Sequence, residues 1–491
     1  MTDLGNAERL VAYCGEDIRY CHRWGAWLIW NGKIWELDKT LQINGKAKEV
    51  VRNIYKEASQ ASDSAERTAI SRHAEKSESE SRIRSMINLA KCDQSLAVHP
   101  EDLDQNHWLL TCLNGTIDLR TGKLLKHDRK HLITQIAPAE YDPNATCPTW
   151  KSFLDKILAG NDNLISFLQR AVGYSLTGDT SEQCLFIFHG SGANGKSTFL
   201  QAISSMLGEH AMQTPTETLL VKRKGAIPND VARLKGARLV TASEAETDQR
   251  LAEGLIKQMT GQDTLSARFL HQEWFDFKPT HKIFLATNHK PTITGIDPAI
   301  WRRIKLIPFD VTIPEHKRDK KLLSKLEAEL SGILAWAVRG CLDWRDNGLG
   351  IPVEVRTATD QYKIDMDVMA QFLSDCCDIQ PKESVSSKNL YAAYLSWCEE
   401  VGEEPLKQRN FGLKLKEKGY KNNRNRDGRY WKGLNLLPVT HLAPVTHGDA
   451  TNHVFLHDTG SIGKTCDLAS HVSHPSSISQ NSCVNDQDRL M

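Results

Sequence analysis

Short apolar runs that alternate with helical patterns occupy the middle of the chain. Three of them, at residues 184–188, 238–243 and 282–287, have the composition of strands that are buried on both faces. Alternation of such strands with helices is typical of a parallel sheet covered by helices. The pattern therefore predicts an α/β domain with a parallel sheet at residues 149–345.

Hairpin and helix patterns precede this region and predict an α+β N-terminal domain at residues 1–148. A tryptophan-rich segment around Asn31 and Gly32 is typical of a β-hairpin, and an alternating segment at residues 113–122 predicts a second one. We interpret the tryptophans as the core of a small domain, with base stacking as the alternative. Charged, Ala-rich residues 48–96 predict long helices. A Pro- and Asn-containing loop at 142–148 precedes a helical pattern at 150–168 and predicts the domain boundary.

The C-terminal part combines helical patterns with a basic hairpin pattern. Residues 386–397 and 407–418 have helical patterns, and residues 420–436 have the Gly turns of a hairpin. These patterns predict a C-terminal helical and hairpin region at residues 346–437. Residues 438–491 are rich in Ser, Thr, His and Asn and predict a disordered polar tail.

Charge is informative only where it is local. The 62 basic and 61 acidic residues of the 491-residue chain nearly cancel, so total charge predicts no nucleic-acid partner. Residues 405–433, however, contain ten Lys and Arg residues and two acids. This excess favours a surface that binds phosphates, although a solvated basic face without a ligand is the alternative.

Cysteine usage and hydropathy restrict the cellular setting. Twelve scattered cysteines without a Cys-x-x-Cys pair, in a chain that opens without a secretory signal, are typical of reduced cytosolic thiols. The most apolar stretch, at residues 333–344, is short and contains Arg339, whereas a membrane-spanning helix needs about 20 mostly apolar residues. We expect a soluble, cytoplasmic protein with no membrane partner.

A phosphate-binding loop follows the first apolar run. Its glycines let backbone amides surround phosphate oxygens, Lys196 adds a positive charge to the β- and γ-phosphates, and the Ser197 hydroxyl is suited to bind magnesium. A helical pattern follows at once, as such a loop requires. The pattern predicts ATP and Mg²⁺ as cofactors, with nucleotide contacts from Gly190, Ser191, Gly192, Ala193, Asn194, Gly195, Lys196, Ser197 and Thr198.

The ends of the next two strands supply candidates for hydrolysis. Glu244 follows the second strand, where P-loop enzymes keep magnesium-binding and water-activating groups, so it is the candidate general base and metal partner. Ser243 or Glu246 could help to place magnesium. Asn288 follows the third strand and would stand beside the γ-phosphate as a sensor. The pair Arg302 and Arg303, beyond a Pro-containing loop, suits an arginine finger that enters a neighbouring subunit's site, although either could be the finger.

Five segments resemble the superfamily 3 helicase domain of phage and plasmid primase-helicases, which is similar also to the poxviral replication nucleoside triphosphatase. They read GSGANGKST, RLVTASEAE, IKQMTGQDTLSARFL, FKPTHKIFLATNHKP and WRRIKLIPF. The resemblance extends over residues 10–436. It implies an AAA+-like core in a homo-hexameric ring that hydrolyses ATP between subunits and translocates on single-stranded DNA.

The resemblance also implies DNA-binding positions. Residues 257–279 match a motif that ends in a DNA-gripping hairpin, so Arg268, His271 and Gln272 are candidate pore residues, with ordinary hairpin surface as the alternative. The C-terminal region looks like the winged helix expected in this family. On its second helix and its hairpin, the candidate DNA contacts are Lys407, Lys414, Lys418 and Arg429, with Tyr430 and Trp431 as a possible stacking surface.

These patterns predict an ATP-dependent replicative DNA helicase of a phage or plasmid, acting in a bacterial host on single-stranded and forked DNA. Residues 1–150 supply no recognisable pair of acidic metal ligands, so we expect no self-contained primase activity and a possible separate primase partner. One alternative is an ATP-switched replication initiator or loader that does not unwind DNA. A small-molecule kinase is another, but it would need no basic winged helix and no arginine pair.

Overall fold

The computed structural model of the protein describes residues 1–221, 229–243, 249–270, 273–295, 297–426 and 428–437. Residues 1–436 pack as one compact unit. The tail predicted to be disordered, at residues 438–491, lies outside the described residues. Within the described ranges, no helix is long and apolar enough to cross a membrane.

The N-terminal region packs four helices against a three-stranded antiparallel sheet. Trp30 lies opposite Trp35 across the predicted turn, which confirms the hairpin around Asn31. Trp27 and Trp35 are buried, as expected for core residues, whereas Trp24 is exposed. The elements are α1 (Asp3–Cys14), β1 (Ile18–Cys21), β2 (Ala26–Trp30), β3 (Trp35–Leu37), α2 (Gln42–Gln60), α3 (Ser64–Ser77) and α4 (Glu80–Ala90).

A second antiparallel sheet, formed by β4 (Leu109–Cys112), β5 (Gly115–Asp118) and β6 (Lys123–Leu125), contains the other predicted hairpin. Its Leu110 and Ile117 belong to the same buried core as Trp150 and Phe199. One continuous core therefore extends across residue 148, where the sequence predicts a domain boundary. The reason is that the inner face of this small sheet is apolar and packs on the helices of the next region.

The predicted helix at residues 150–168 was wrong in one respect, because the structure divides it into α5 (Pro148–Ile157) and α6 (Asp162–Ser175). Ala159 and Gly160 have φ angles of 52° and 68°, which end α5. The Asn161 side chain then caps α6 by accepting a hydrogen bond from the Leu164 amide at 3.1 Å. These local turn signals override the apolar periodicity.

The centre of the molecule is a five-stranded parallel sheet in the order β13-β7-β12-β9-β8, which confirms the predicted α/β region. Its strands are β7 (Leu185–His189), β8 (Ala211–Gln213), β9 (Leu239–Ser243), β12 (Lys282–Thr287) and β13 (Ile304–Pro308), and a separate hairpin comprises β10 (Leu265–Ala267) and β11 (Phe275–Phe277). The surrounding helices are α7 (Lys196–Leu207), α8 (Asn229–Ala232), α9 (Glu253–Met259), α10 (Pro298–Trp301), α11 (Leu322–Glu327) and α12 (Leu330–Asn347). All carboxyl ends of the parallel strands meet at one edge, where β12 lies between β7 and β9.

The C-terminal region has its own core and a three-stranded sheet in the order β15-β17-β16. Ser386 caps α15 by accepting a hydrogen bond from the Asn389 amide, as the sequence predicts, and Phe411 and Leu415 are buried on α16. The elements are α13 (Val353–Asp365), α14 (Val368–Cys376), β14 (Cys377–Asp378), β15 (Ser384–Ser386), α15 (Ser387–Val401), α16 (Gln408–Glu417), β16 (Lys421–Asn425), β17 (Gly428–Lys432) and β18 (Asn435–Leu436).

Candidate nucleotide site and nucleic-acid interface

The predicted phosphate-binding loop connects the carboxyl end of β7 to the first turn of α7. Two positions of this loop require glycine, because any side chain there would clash with neighbouring atoms. A Cβ atom at Gly190 would lie 2.2 Å from the Phe309 carbonyl oxygen, and one at Gly195 would lie 2.5 Å from Ile157 Cγ2. Gly195 also has a φ angle of 88°, in the left-handed region that favours glycine. The loop can therefore approach its neighbours closely and present backbone amides at the start of a helix.

Replacing Gly195 with alanine is expected to destabilise the protein by about 1–3 kcal/mol, because the methyl group overpacks the site and strains the backbone. Chemical unfolding monitored by circular dichroism measures this change. Gly192→Ala is the matched control, since a Cβ atom there meets no atom within 4 Å. Equal free energies of unfolding for the two variants would contradict the prediction.

Lys196 occupies the centre of the loop and is only 6% exposed. Its ammonium group donates hydrogen bonds to the Gly190 carbonyl oxygen at 2.7 Å, to Asn194 Oδ1 at 3.0 Å and to Asn288 Oδ1 at 3.0 Å. All three acceptors are neutral, and burial lowers the pKa of Lys196 because its charged form loses hydration. A polyphosphate would supply the negative charge that this buried ammonium group does not receive from its hydrogen-bond acceptors.

The structure thus joins two residues that are 92 positions apart in the sequence, Lys196 and Asn288. Asn288 follows β12, which pairs in parallel with β7, so both strands end at the same edge. The shared strand end places the Asn288 amide oxygen against the Lys196 ammonium group. This is the location expected for a group that contacts the terminal phosphate.

A cavity of about 1030 Å³ opens in front of the loop, which is large enough for a nucleoside triphosphate. Glu217 and His289 in its wall were missed by the sequence analysis. Glu217 follows the edge strand β8 at the same sheet edge, and that position was the available signal. The lining residues are Gly192, Ala193, Asn194, Gly195, Lys196, Ser197, Thr198, Pro215, Thr216, Glu217, Ser243, Ala286, Thr287, Asn288 and His289.

The structure describes two of the four residues predicted to bind or place magnesium. Ser197 and Ser243 both lie in the cavity wall. The candidate base Glu244 and its alternative Glu246 lie outside the described residues, one and three positions beyond the end of β9. Hydroxyl and carboxylate oxygens are ligands that Mg²⁺ prefers, so the hydroxyl and acidic groups of this wall fit a magnesium-bound phosphate.

The arginine pair lies at the amino ends of the parallel strands, opposite the edge that carries the phosphate loop. The Leu185 amide, at the amino end of β7, donates a hydrogen bond to the Arg303 carbonyl oxygen at 2.8 Å, whereas Gly190 follows the carboxyl end of the same strand. A five-residue strand spans roughly 16 Å. Neither Arg302 nor Arg303 therefore lies beside the phosphate loop of its own chain.

The two arginines differ in their surroundings. Arg303 is 7% exposed and donates to the Ala299 carbonyl oxygen at 2.7 Å and to Thr260 Oγ1 at 3.2 Å. Burial, and then the neighbouring charge of Arg302, lower the pKa of Arg303. Arg302 is exposed. Only Arg302 has its guanidinium group at the surface, so it is the candidate finger and Arg303 is its buried neighbour.

The hairpin of β10 and β11 carries one described pore candidate. The Arg268 guanidinium lies 5.1 Å from the centre of the Trp274 ring, a cation–π contact, and Trp274 is 55% exposed. His271 and Gln272 lie outside the described residues. Trp274, which the sequence analysis missed, gives this hairpin an exposed aromatic surface next to a cation.

The C-terminal candidates separate into cations with partners among the described residues and cations that are exposed. Lys414 donates to the Thr294 carbonyl oxygen at 3.0 Å and Lys418 forms an ion pair with Asp367, so the ammonium groups of these two candidate DNA contacts bond within the protein. Lys407 and Arg429 are exposed. Trp431 is 3% exposed within the regional core, which excludes the predicted stacking by its ring. Further exposed cations that the sequence analysis did not select are Arg409, Lys416, Lys421, Arg424, Arg426 and Lys432.

Three family models match separate parts of the chain. The model described as D5 N terminal like matches residues 7–159, and the model described as Poxvirus D5 protein-like matches residues 364–435. Between them, residues 188–303 match a family of unknown function. This middle segment, residues 188–303, contains the phosphate loop, Asn288 and the arginine pair.

Curated relatives come from large DNA viruses. A protein described as "Putative helicase" of Acanthamoeba polyphaga mimivirus is 28% identical over 321 residues, which are 60% of this chain and 33% of that protein. A protein described as "Putative primase" of African swine fever virus is 27% identical over 217 residues, which are 42% of this chain and 22% of that protein. The chain thus spans a third or less of the length of these relatives. Among solved structures, "The apo structure of NrS-1 C terminal region (305-718)" has a TM-score of 0.38 and 11% identity, covering 64% of this chain and 88% of that one.

Proposed function

Because the chain belongs to the D5-like helicase-primase family of superfamily 3, we propose that it is an ATP-dependent replicative DNA helicase. The observation that carries this proposal is the contact between Lys196 and Asn288 at the wall of a nucleotide-sized cavity. A buried lysine with neutral acceptors fits a phosphate-binding role, and an amide beside it fits a sensor of the terminal phosphate. The match to proteins described as "Putative helicase" and "Putative primase" supports a role in DNA replication.

In this proposal the residues of one cavity bind ATP, and a neighbouring chain completes it. Backbone amides of the loop and the Lys196 ammonium group hold the phosphates, while Asn288 orients the attacking water. Magnesium, bound at the Ser197 hydroxyl, would neutralise phosphate charge. Glu244, one position beyond β9, is proposed to accept the proton of that water.

We propose that identical subunits form a ring, a hexamer, in which Arg302 of one subunit reaches the phosphate loop of the next. A finger at one sheet edge and a phosphate loop at the other cannot meet within a chain, but they meet between copies in a head-to-tail arrangement. The strand order, with β12 between β7 and β9, supports an AAA+-like core. Each hydrolysis site would then report its state to the next subunit.

DNA is proposed to bind at two places, the β10–β11 hairpin and a C-terminal winged helix. The order α14, β15, α15, α16, β16, β17 supports the winged-helix assignment, with the β16–β17 hairpin as the wing. Arg268 and Trp274 would contact DNA at the hairpin. The sequence motifs predict a phage or plasmid origin. This origin stays a prediction, because the relatives described above come from a mimivirus and African swine fever virus.

Replacing both Lys407 and Arg429 with alanine is expected to weaken single-stranded DNA binding. Each phosphate contact contributes about 0.7 to the slope of log affinity against log salt for a single strand, so the slope should fall by roughly 1.4. Fluorescence anisotropy at several salt concentrations measures the change.

Lys414→Ala is the matched control for this measurement. Its ammonium group is held by the Thr294 carbonyl oxygen, so we expect the DNA affinity and its salt slope to stay near wild type. The assignment of exposed and engaged cations is wrong if Lys414→Ala lowers the slope and the double variant does not.

Strand displacement tests the proposed function. Forked DNA is mixed with the full chain and ATP, and hydrolysis is measured with and without single-stranded DNA, in parallel with Lys196→Ala. We expect ATP-dependent strand separation and DNA-stimulated hydrolysis. DNA-stimulated hydrolysis without strand separation would favour the initiator or loader, and hydrolysis that is indifferent to DNA would favour a small-molecule kinase.

A further inference from the structure

Gln183 lies next to the arginine pair, two positions before the start of β7, and neither its residue type nor the sequence motifs single it out. Its side-chain oxygen Oε1 accepts hydrogen bonds from Arg302 Nη2 at 3.1 Å and from Arg303 Nη2 at 3.2 Å. One neutral oxygen therefore connects both guanidinium groups. The shared contact links the exposed arginine to the buried one.

Arg303 is a fixed anchor for this connection. Its guanidinium group also donates to the Ala299 carbonyl oxygen and to Thr260 Oγ1, and its carbonyl oxygen accepts from the Leu185 amide at the start of β7. Among the described residues, the contact with Gln183 is the one hydrogen bond of the Arg302 side chain. Without this hydrogen bond, the long exposed side chain of Arg302 would sample many rotamers. Holding its guanidinium group in one position would then cost more conformational entropy.

The backbone of Gln183 is held in an unfavourable conformation. Its φ angle is 48°, a left-handed conformation that costs a non-glycine residue roughly 1–2 kcal/mol. Its amide donates to the Thr180 carbonyl oxygen at 3.1 Å, which closes a tight turn just before β7. Strained residues of this kind persist where the surrounding structure fixes them and are concentrated at functional sites.

We propose that Gln183 is a positioning residue that holds Arg302 in the orientation needed to enter the nucleotide site of the neighbouring subunit. This inference rests on the proposed function, because it requires that Arg302 acts between subunits. A neutral amide suits this role, because it orients a guanidinium group through a hydrogen bond and leaves its full positive charge for the phosphates. A carboxylate at this position would neutralise that charge.

Two substitutions of the full chain test the proposal. Gln183→Gly removes the oxygen and tolerates the left-handed backbone, whereas Gln183→Met removes the oxygen and keeps the side-chain length. For both we expect the kcat of DNA-stimulated ATP hydrolysis to fall about 10-fold, since a misplaced group weakens transition-state stabilisation. The KM for ATP should change less than about 2-fold, because the nucleotide is held mainly by the loop of the other subunit.

A double-mutant cycle with Arg302→Ala separates positioning from a general structural effect. If Gln183 acts through Arg302, adding Gln183→Gly to Arg302→Ala lowers kcat no further. Multiplying effects in the double variant, or wild-type kcat in both single Gln183 variants, overturn the inference. The proposed function fails separately: if Arg302→Ala itself hydrolyses ATP at the wild-type rate, Arg302 is not a finger, whatever Gln183 does.

Discussion

Lys196→Ala is expected to lower the kcat/KM for ATP hydrolysis at least about 100-fold, equivalent to about 3 kcal/mol of transition-state stabilisation. The reason is that the ammonium group lies at the centre of the loop and its three acceptors among the described residues are neutral. Steady-state hydrolysis assays measure the change. A second readout is the thermal shift given by a non-hydrolysable ATP analogue, which stabilises the wild type by about 2.7 kcal/mol at 100 times its Kd and should vanish in the variant.

Lys39→Ala is the control for this prediction, because Lys39 is an exposed lysine of the N-terminal region. Its hydrolysis and thermal shift should match those of the wild type. Hydrolysis by Lys196→Ala within about 3-fold of the wild type, a difference of under 1 kcal/mol, would exclude the cavity as the site of ATP turnover.

Arg302→Ala is expected to lower kcat at least about 100-fold while ATP still binds, because arginine fingers act on the charge of the transition state. The structure sharpens this expectation to one arginine, since Arg303 is buried by contacts within its own chain. Hydrolysis and analogue binding are measured for the same preparation. Arg84→Ala is the matched control, because that side chain is 70% exposed and pairs with Glu80 on the same helix.

Mixing the Arg302→Ala and Lys196→Ala proteins tests whether the site is shared. An intact site forms where an Arg302→Ala subunit, which keeps its loop, meets a Lys196→Ala subunit, which keeps its finger. In randomly mixed head-to-tail rings this order occurs at about one quarter of interfaces, so hydrolysis should recover to roughly that fraction. No recovery above the two separate proteins would contradict a site that is shared between subunits.

Local patterns predicted the elements that depend on neighbours in sequence. The strand, loop and helix around Lys196 follow from adjacent residue types, as do the Ser386 cap and the turn at Asn31. The division between α5 and α6 was missed, although Gly160 and Asn161 are local signals for it. In that segment the apolar periodicity continues across the break and conceals it.

Long-range contacts decided which predicted residues are available. Lys414 and Lys418 look equivalent to Lys407 along the sequence, yet they bond to Thr294 and Asp367. A helical pattern indicates which residues share a face but not which other element covers it. The same reason explains why Trp431, expected at the surface, is part of a core.

The sequence by itself determined that a phosphate loop stands between a buried strand and a helix, because the glycine spacing and the apolar run are local properties. It also placed Asn288 at a strand end. Only the tertiary structure decided that Asn288 contacts Lys196 and that the arginine pair lies at the far edge of the sheet. Both positions result from the parallel pairing of β12 and β13 with β7. The composition of a strand is a local property, but its pairing partners depend on the packing of the whole chain.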